Sequence, residues 1–401
     1  MRSMLQLIAS HDQKIYFSGP LIRRVERQPN GQKPADNKGW RDSRGQLEGT
    51  TLALWDVKEI EEAREQGRQA YPQYINIADA FVHLMGTHTT PETPEGPSKT
   101  FANVFSVNTA GANLLLFSCP STQALESWIA ALRLAAWDKS RLEEMYTAHL
   151  IKITLNDGRD IRSPLVHGRM EGCVRIRVAG QTDWKMLWMA VTACGAWDVH
   201  YDAGYSDGRP TSPNTSKNNR PSHEGSPPRM PSKPFIQIFA SQRPEDRNKV
   251  LLTLKDVTQS FTKPLISSKG VQSASLKLEG VFGNEEMAGS MMNSEAWLQV
   301  LPMAEPGVDP NKVSWLLQWL VAIHDAFELY GRPRTYNWDP RDPESSLFGY
   351  PTGPNQELLC LDREIAEILD PRNHRISSVR RQLRQILWQR MNGLFACYFT
   401  W

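Results

Sequence analysis

Short stretches in which apolar and polar residues alternate dominate the chain between Ile15 and Cys119. The runs IYFSGPLIRRV, QLEGTTLALWDV, YINIADAFVHL, FANVFSVNT and NLLLFSC have the period of two that is typical of half-buried β-strands. Segments rich in glycine, proline, asparagine and aspartate separate them, as expected of turns and loops. After Pro120 the apolar residues follow helical spacing and form one stripe, which predicts an amphipathic helix. The stripe consists of Leu125, Trp128, Ile129, Leu132 and Ala136.

The same order of elements occurs a second time further along the chain. The runs GCVRIRVAG, DWKMLWMAV, FIQIFAS, VLLTLKDV, SLKLEGVFG and AWLQVLPM are again short and strand-like. A helix is predicted to begin at Asp309-Pro310, because aspartate caps helices and proline fits the first helical position. It is predicted to end at Gly331. Two series of strands, each followed by one capped helix, indicate two similar small domains.

One segment interrupts the second series of strands. Between about residues 197 and 233 the chain is rich in serine, proline, asparagine and glycine and almost free of aliphatic residues. Such a composition does not provide enough apolar surface to offset the entropy of ordering the chain. We therefore predict a disordered insert within the second domain.

Several of these segments resemble pleckstrin-homology (PH) domains. Gly19 to Arg23 resembles the first PH strand, Trp40 to Leu47 partly resembles the second, and Trp184 to Val191 matches the second-strand pattern in the second copy. FSVNTAGANLLLFSCPSTQALESWIAALRLAAW resembles the last strands and the closing helix, with Trp128 at the position of the helix tryptophan. Over residues 14 to 390 the chain is similar to a fungal tandem, or split, PH-domain family. The runs that carry this similarity are GTTLALWDVKEIEEA, NTAGANLLLFSCP, LRLAAWDKSRLEE, IHDAFELYGRPRTYNWDPRDP and LDREIAEILDPRNHRISSVR.

The resemblance implies an α+β fold that is mainly β: two PH-like β-barrels, each capped by a C-terminal helix, plus a C-terminal helical tail. We expect the first PH domain at residues 14–146, the second at 150–331, and a tail at 332–390 that packs on the second domain. The family includes proteins associated with the carbon-catabolite-repression/Not deadenylase complex and with polarised growth. The predicted structural tryptophans are Trp128, Trp184, Trp188, Trp315 and Trp319.

Basic residues concentrate where lipid-binding PH domains hold their ligand, in the first two strands and the loop between them. Polyanionic headgroups need several charge-assisted hydrogen bonds there. Ser43, however, stands where such domains carry a second basic residue, and Asp42 interrupts the motif. Specific phosphoinositide binding, weak attraction to anionic lipid and a solvated surface patch all remain open. The candidate residues are Arg23, Arg24, Arg27, Lys33, Lys38, Arg41 and Arg44.

Two further groups of basic residues are candidates for binding. In the second domain, Arg175, Arg177 and Lys185 are lipid or anion candidates, and a polar outer strand face is the alternative. The segment from Arg372 to Arg390 forms a basic amphipathic helix without acidic residues, a pattern used for docking on membranes or partners. A helix packed on the second barrel with its arginines in water is the alternative. The partner-binding candidates are Arg380, Arg381 and Arg384.

Composition and charge narrow the range of functions. A formal net charge of +2 provides no overall field for nucleic acid or membranes. The five cysteines contain no CxxC pair and fit a reducing compartment. The polar N-terminus does not resemble a signal peptide, and polar residues interrupt the longest apolar stretch. We predict a cytoplasmic protein; the resemblance adds the membrane periphery and sites of polarised growth as locations.

The sequence contains no nucleotide-binding loop, metalloprotease motif or nucleophile elbow. The aspartates of WDPRDP and LDREIAEILDP are interpreted as caps and turns, so no catalytic residue, metal or cofactor is predicted. The main hypothesis is a non-enzymatic adaptor that presents PH-domain surfaces to protein partners, deadenylase-complex subunits among them. The alternative is a peripheral membrane protein that binds anionic lipid or phosphoinositide through the first PH domain. Neither a nucleic-acid partner nor a small-molecule substrate is expected.

Overall fold

The fold is known from a computed structural model that covers two β-rich units and a C-terminal tail. Nearly all of the predicted disordered insert, from residue 197 to 232, lies outside the described residues. Among the described helices, none is long and apolar enough to cross a lipid bilayer. The described residues are 2–34, 39–90, 98–109, 111–156, 162–195, 233–267, 270–303, 313–351, 361 and 363–393.

The first unit is an antiparallel sheet of seven strands that curls around an apolar core. Its elements are α1 (Arg2–Asp12), β1 (Ile15–Arg27), β2 (Arg41–Glu48), β3 (Thr51–Asp56), α2 (Val57–Glu65), β4 (Gln73–Asn76), β5 (Phe81–Thr89), β6 (Thr100–Asn108) and β7 (Leu114–Ser118). The strands lie in the order β4-β3-β2-β1-β7-β6-β5. Among the described strands, backbone hydrogen bonds do not close this sheet, so the first unit is a more open version of the expected barrel.

The second unit is a closed barrel of six antiparallel strands. Its elements are β8 (Arg169–Val178), β9 (Lys185–Thr192), β10 (Phe235–Phe239), α4 (Pro244–Arg247), β11 (Leu252–Ser267), β12 (Gly270–Phe282), β13 (Glu295–Pro302) and α5 (Val313–Ala326). The strand order is β10-β11-β12-β13-β8-β9, with the last strand paired to the first. The predicted α+β, mainly β fold is therefore confirmed.

One long helix, α3 (Thr122–Thr154), connects the two units. It begins as predicted at Ser121, whose hydroxyl accepts a hydrogen bond from the backbone N–H of Ala124 at 3.1 Å. Apolar residues up to Trp137 pack in the core of the first unit, and those from Leu142 onward pack in the core of the second. Residues on most sides of α3 are buried, because the helix contributes to both cores.

Each unit buries one helix tryptophan against a glycine of its sheet. Trp128 of α3 and Trp319 of α5 are both fully buried. A Cβ atom on Gly45 would lie 2.9 Å from the Trp128 ring, and one on Gly172 would lie 3.1 Å from the Trp319 ring. Trp315 is only partly buried, and its indole N–H donates to the carbonyl of Met303 at 3.1 Å. Trp319 is thus the counterpart of Trp128.

The other two predicted structural tryptophans do not belong to the barrel core. Trp188 alternates with the inward-facing residues Leu187 and Met189, and it lies half-buried on the outer face of β9. Trp184 is likewise half-buried, and its ring lies 5.8 Å from the guanidinium carbon of Arg177. Alternation of side chains along a strand explains both positions, because residues 184 and 188 have the same parity.

We expect Gly45→Ala to destabilise the first unit by about 1–3 kcal/mol, the usual cost of overpacking a filled core. The new methyl group would overlap the Trp128 ring, which is buried and has no room to move. Gly19→Ala is the matched control, because its methyl group would meet its nearest neighbour at an ordinary 3.5 Å. Urea unfolding of both variants measures the difference; equal midpoints would contradict the packing described here.

The C-terminal tail, which is expected to pack on the second domain, contacts both units: Tyr336 and Leu347 join the core of the second unit, and later apolar residues join that of the first. Its helices are α6 (Arg363–Ala366) and α7 (Ile376–Met391). The apolar side chains of α7, Leu383, Ile386 and Leu387, join the core of the first unit. Polar side chains at the start of α7 contact the second barrel instead, where Ser377 donates to Glu295 at 2.5 Å. The tail therefore bridges both units, because the apolar and polar faces of α7 point in different directions.

Candidate functional site

The basic residues predicted for the first unit lie on both faces of the sheet. Arg23 and Arg41 are cross-strand neighbours on the inner face. Arg23 donates to Gln73 at 2.6 Å, and Arg41 pairs with Asp56 at 3.5 Å. Burial lowers the pKa of Arg23, and the carboxylates of Asp56 and Glu59 oppose this shift. The two arginines already have acidic neighbours of their own, which weakens the case for a phosphate site there.

The remaining basic candidates of the first unit do not converge on these two. Arg24 lies on the opposite face of β1 and pairs with Glu26 at 2.8 Å. Arg27, Lys33 and Arg44 are exposed, and Lys38 lies outside the described residues. Strand alternation separates neighbouring basic residues, so the local excess of positive charge does not form one pocket.

The three candidates of the second unit are also separated. Lys185 faces Ile176 across the β8–β9 pair and lies at the inner rim of the barrel, whereas Arg175 and Arg177 lie on the outer face. Lys185 lines a surface depression of about 470 Å³ together with Lys249, which sequence analysis did not single out. Glu285 and Glu286 line the same depression, so its charge is mixed.

A cluster of buried charges lies between the two units, in a region we call the junction. Asp79, in the loop between β4 and β5, reaches the outer face of the second barrel. Its carboxylate lies 2.7 Å from the ammonium of Lys263 and 2.9 Å from that of Lys277, and Gln299 donates to it at 3.0 Å. Its backbone carbonyl accepts the indole N–H of Trp297 at 3.1 Å. Four polar contacts thus attach one loop of the first unit to the barrel.

Arg177, a lipid or anion candidate from the sequence, lies at this junction. It donates to Gln299 at 2.8 Å and lies 4.0 Å from Asp79. Its guanidinium carbon lies 5.4 Å from the ring centre of Trp297. Burial opposes ionisation of Asp79, yet Lys277 and Lys263 outweigh it and hold the pKa of Asp79 well below its usual range. The junction acid is therefore ionised at neutral pH.

The tail adds a further ion pair to the junction. Lys277 lies 3.0 Å from Glu279, its neighbour on the same face of β12, and Arg380 of α7 pairs with the other oxygen of Glu279. Burial raises the cost of the charge on Glu279, but Arg380 and Lys277 together lower its pKa to about 2. Arg380 therefore has an ion-pair partner within its own chain.

A second buried network anchors the same helix further along. Glu144 of α3 accepts hydrogen bonds from Tyr330, at 2.7 Å, and from Arg141. Arg384 lies 3.5 Å from Glu144, and Arg141 also donates to the carbonyl of Phe348 at 2.5 Å. Of the partner-binding candidates on α7, Arg381 alone is exposed. Helix α7 contains no acidic residue, and the acidic partners of Arg380 and Arg384 lie in the two units of the same chain.

Sequence analysis missed the acids that organise the junction. One local signal was present: Lys277 and Glu279 occupy alternate positions in the strand-like run SLKLEG, on the face opposite its leucines. This pattern shows that one strand face carries charge, but it does not show that the face is buried. Within the part of the chain that the structure describes, no group of three histidine, cysteine or acidic residues is placed to hold a metal ion.

Comparisons with known proteins agree with this architecture. Residues 154–348 match the family model of the fungal PH-like domain. The CCR4-NOT transcriptional complex subunit CAF120 from two strains of Saccharomyces cerevisiae is 23% identical over 384 residues, which cover 91% of this chain and 32% of the relative. The chain thus spans about a third of the length of these curated relatives. The predicted similarity to a fungal PH-domain family with a deadenylase-complex-associated member is confirmed.

Two solved PH domains match parts of this chain. The C-terminal PH domain of human pleckstrin is 16% identical, covers 31% of this chain and 89% of its own, and has a TM-score of 0.22. The PH domain of ArhGAP27 is 16% identical, covers 30% of this chain and 97% of its own, and also has a TM-score of 0.22.

Proposed function

We propose that this chain, whose residues 154–348 match the model of the fungal PH-like domain, is a non-enzymatic adaptor that presents the surfaces of two joined PH-like units to subunits of a CCR4-NOT-type deadenylase assembly. One observation carries the proposal. The similarity to CAF120 extends over 91% of the chain and so includes the first unit, the junction and the tail as well as the second barrel. The similarity therefore concerns the joined pair of units.

The junction supports an adaptor role because it fixes the spacing of the two units. Domains joined by a flexible linker alone change their relative orientation freely. Here the Asp79 loop and Arg380 of the tail both attach to the same barrel through buried ion pairs. Surfaces on different units are consequently offered to a partner at one distance and angle, which lowers the entropy that binding would cost.

The positions of the basic residues give less support to the alternative function, which is binding of anionic lipid by the first unit. Arg23 and Arg41 have Asp56 and Glu59 beside them, and Arg177 is engaged in the junction. These contacts favour a protein-binding platform, and we propose that it acts in the cytoplasm. Sedimentation with anionic vesicles that is lost in the Arg23→Glu/Arg41→Glu variant would favour the peripheral membrane role instead.

We expect the purified chain to co-elute with a CCR4-NOT assembly prepared from yeast cells that lack CAF120. The tagged chain is mixed with the assembly, and size-exclusion fractions are probed for both. A chain incubated without the assembly should elute alone and show no deadenylase activity. Separate elution of the two at micromolar concentration would contradict the proposed association, and intrinsic activity of the chain would contradict its non-enzymatic character.

A further inference from the structure

The strand β5 forms one edge of the open sheet of the first unit. It pairs with β6 on one side, and no described strand pairs with its other side. The backbone N–H and C=O groups along an unpaired edge can form hydrogen bonds with a further strand. The closed second barrel has no such edge, because its strand β10 pairs with β9.

The two edges of the open sheet differ in how well they are protected from pairing. The edge strand β4 has only four residues, and a very short edge offers few hydrogen bonds to an incoming strand. The strand β5 has nine residues, FVHLMGTHT, without a lysine, arginine, acid or proline. These are the residues with which proteins usually discourage pairing at an edge. Strand β5 is therefore the less protected edge.

The second half of β5 is open to solvent. The side chain of Met85 is 44% exposed, and Thr87 is exposed as well. The tail lies beside the first half of the strand, where the ring centres of His83 and His374 are 5.2 Å apart. The part of the edge that a further strand can reach therefore runs from about Leu84 to the end of β5.

An irregularity in β5 indicates which strand would fit this edge. The pairing of β5 with β6 changes register on both sides of Gly86, whose φ of 78° lies in the left-handed region. Such an irregularity bends a strand and increases its twist, so a straight strand would not follow the whole edge. A second copy of β5 has the same bend. With a two-fold axis at Gly86, the two bends coincide and the two strands run antiparallel.

We propose that this chain forms a two-fold symmetric dimer in which β5 of one copy pairs antiparallel with β5 of the other, centred on Gly86. Met85 then lies opposite Thr87 of the second copy. The pairing brings no like charges together, because β5 contains no lysine, arginine or acidic residue. One set of contacts satisfies both identical edges. This contact between copies is independent of the proposed deadenylase partner.

Sedimentation velocity of the full chain tests the dimer. We expect the average mass to rise from 45.5 kDa toward twice that value between about 1 and 100 μM, because an interface of one strand pair is small and associates weakly. Hydrogen exchange of the backbone amides of residues 81–89 should slow over the same range. A monomer at every concentration, or a dimer without slower exchange in β5, would overturn the proposal.

Substitutions at Met85 and Thr87 test the register of the pairing. Met85→Lys and Thr87→Glu each place two like charges within about 8 Å of each other across the two-fold axis. Each should weaken dimerisation at least about tenfold. Mixed together, the two variants should associate again, because the new lysine of one copy lies opposite the new glutamate of the other.

Met186→Lys is the matched control for these variants. Met186 is 66% exposed, but its strand β9 has paired neighbours on both sides. The substitution should therefore leave dimerisation unchanged. Undiminished dimerisation of Met85→Lys, a loss as large in Met186→Lys, or no association in the mixture of the two β5 variants would refute the assignment to this edge.

Discussion

Asp79→Ala is expected to lower the free energy of unfolding by about 3–5 kcal/mol, the cost of leaving buried charges without their partner. Asp79 lies within 3.0 Å of Lys263, Lys277 and Gln299. Its removal leaves the ammonium of Lys263 unpaired and takes one of two counter-charges from Lys277, which is almost fully buried. Repulsion between these cations adds to the loss. Urea unfolding, followed by tryptophan fluorescence, measures the effect.

The matched control for this variant is Asp42→Ala. Asp42 lies in the same unit but is exposed, so its removal should change stability by less than about 0.5 kcal/mol. Asp79→Asn keeps an acceptor but removes the charge, and its stability should fall between those of the alanine variant and the wild type. Equal unfolding curves for Asp79→Ala and Asp42→Ala would show that the loop does not attach to the barrel in solution.

Arg380→Leu is expected to cost about 3 kcal/mol at neutral pH, because it leaves the buried carboxylate of Glu279 with one cation in place of two. Lys277 remains at 3.0 Å, which keeps the loss at the lower end of the range for broken buried pairs. The exposed neighbour Arg381→Leu is the control, with an expected change below about 0.5 kcal/mol. An equal effect of both substitutions would contradict the assignment of Arg380 to the junction.

The cost of Arg380→Leu should also depend on pH, in a direction that the pKa of Glu279 determines. The folded pKa of this group is lowered from the usual 4.5 to about 2. Its contribution is therefore complete above the unfolded pKa and is lost as the pH falls through the folded pKa. Without Arg380 the folded pKa rises toward its ordinary value. The stability difference between the two leucine variants should shrink as urea unfolding is repeated from about pH 6 down to about pH 3; a constant difference would contradict this linkage.

Local patterns along the chain were enough to predict the two β-rich units. Alternation of apolar residues depends on which face of a strand is buried, and a helical stripe depends on which side of a helix is buried, so both are visible within ten or so residues. The Ser121 cap and the burial of Trp128 follow from such short-range features. The resemblance then supplied the family and the order of the elements.

The candidate binding residues were harder to place, because a charged residue looks the same in sequence whether it is solvated or paired. Arg177, Arg380 and Arg384 are candidates for outside ligands in the sequence, and each has an acidic partner in its own chain. Their acidic partners are distant in sequence. Lys263 and Asp79 are 184 positions apart, and Arg380 and Glu279 are 101 positions apart. No local pattern connects such positions.

The sequence by itself determined most strands of both units, the start of α3 and the mainly β class, since these depend on short-range periodicity and on glycine, proline and capping residues. Tertiary structure alone decided that one helix serves both cores, that the tail bridges the units, and that the first sheet stays open. It also decided which charges are buried. These properties depend on contacts between residues that are far apart in the chain. The free energy of an ion pair depends on how deeply it is buried and on which groups surround it. Neighbouring residues in the sequence indicate neither.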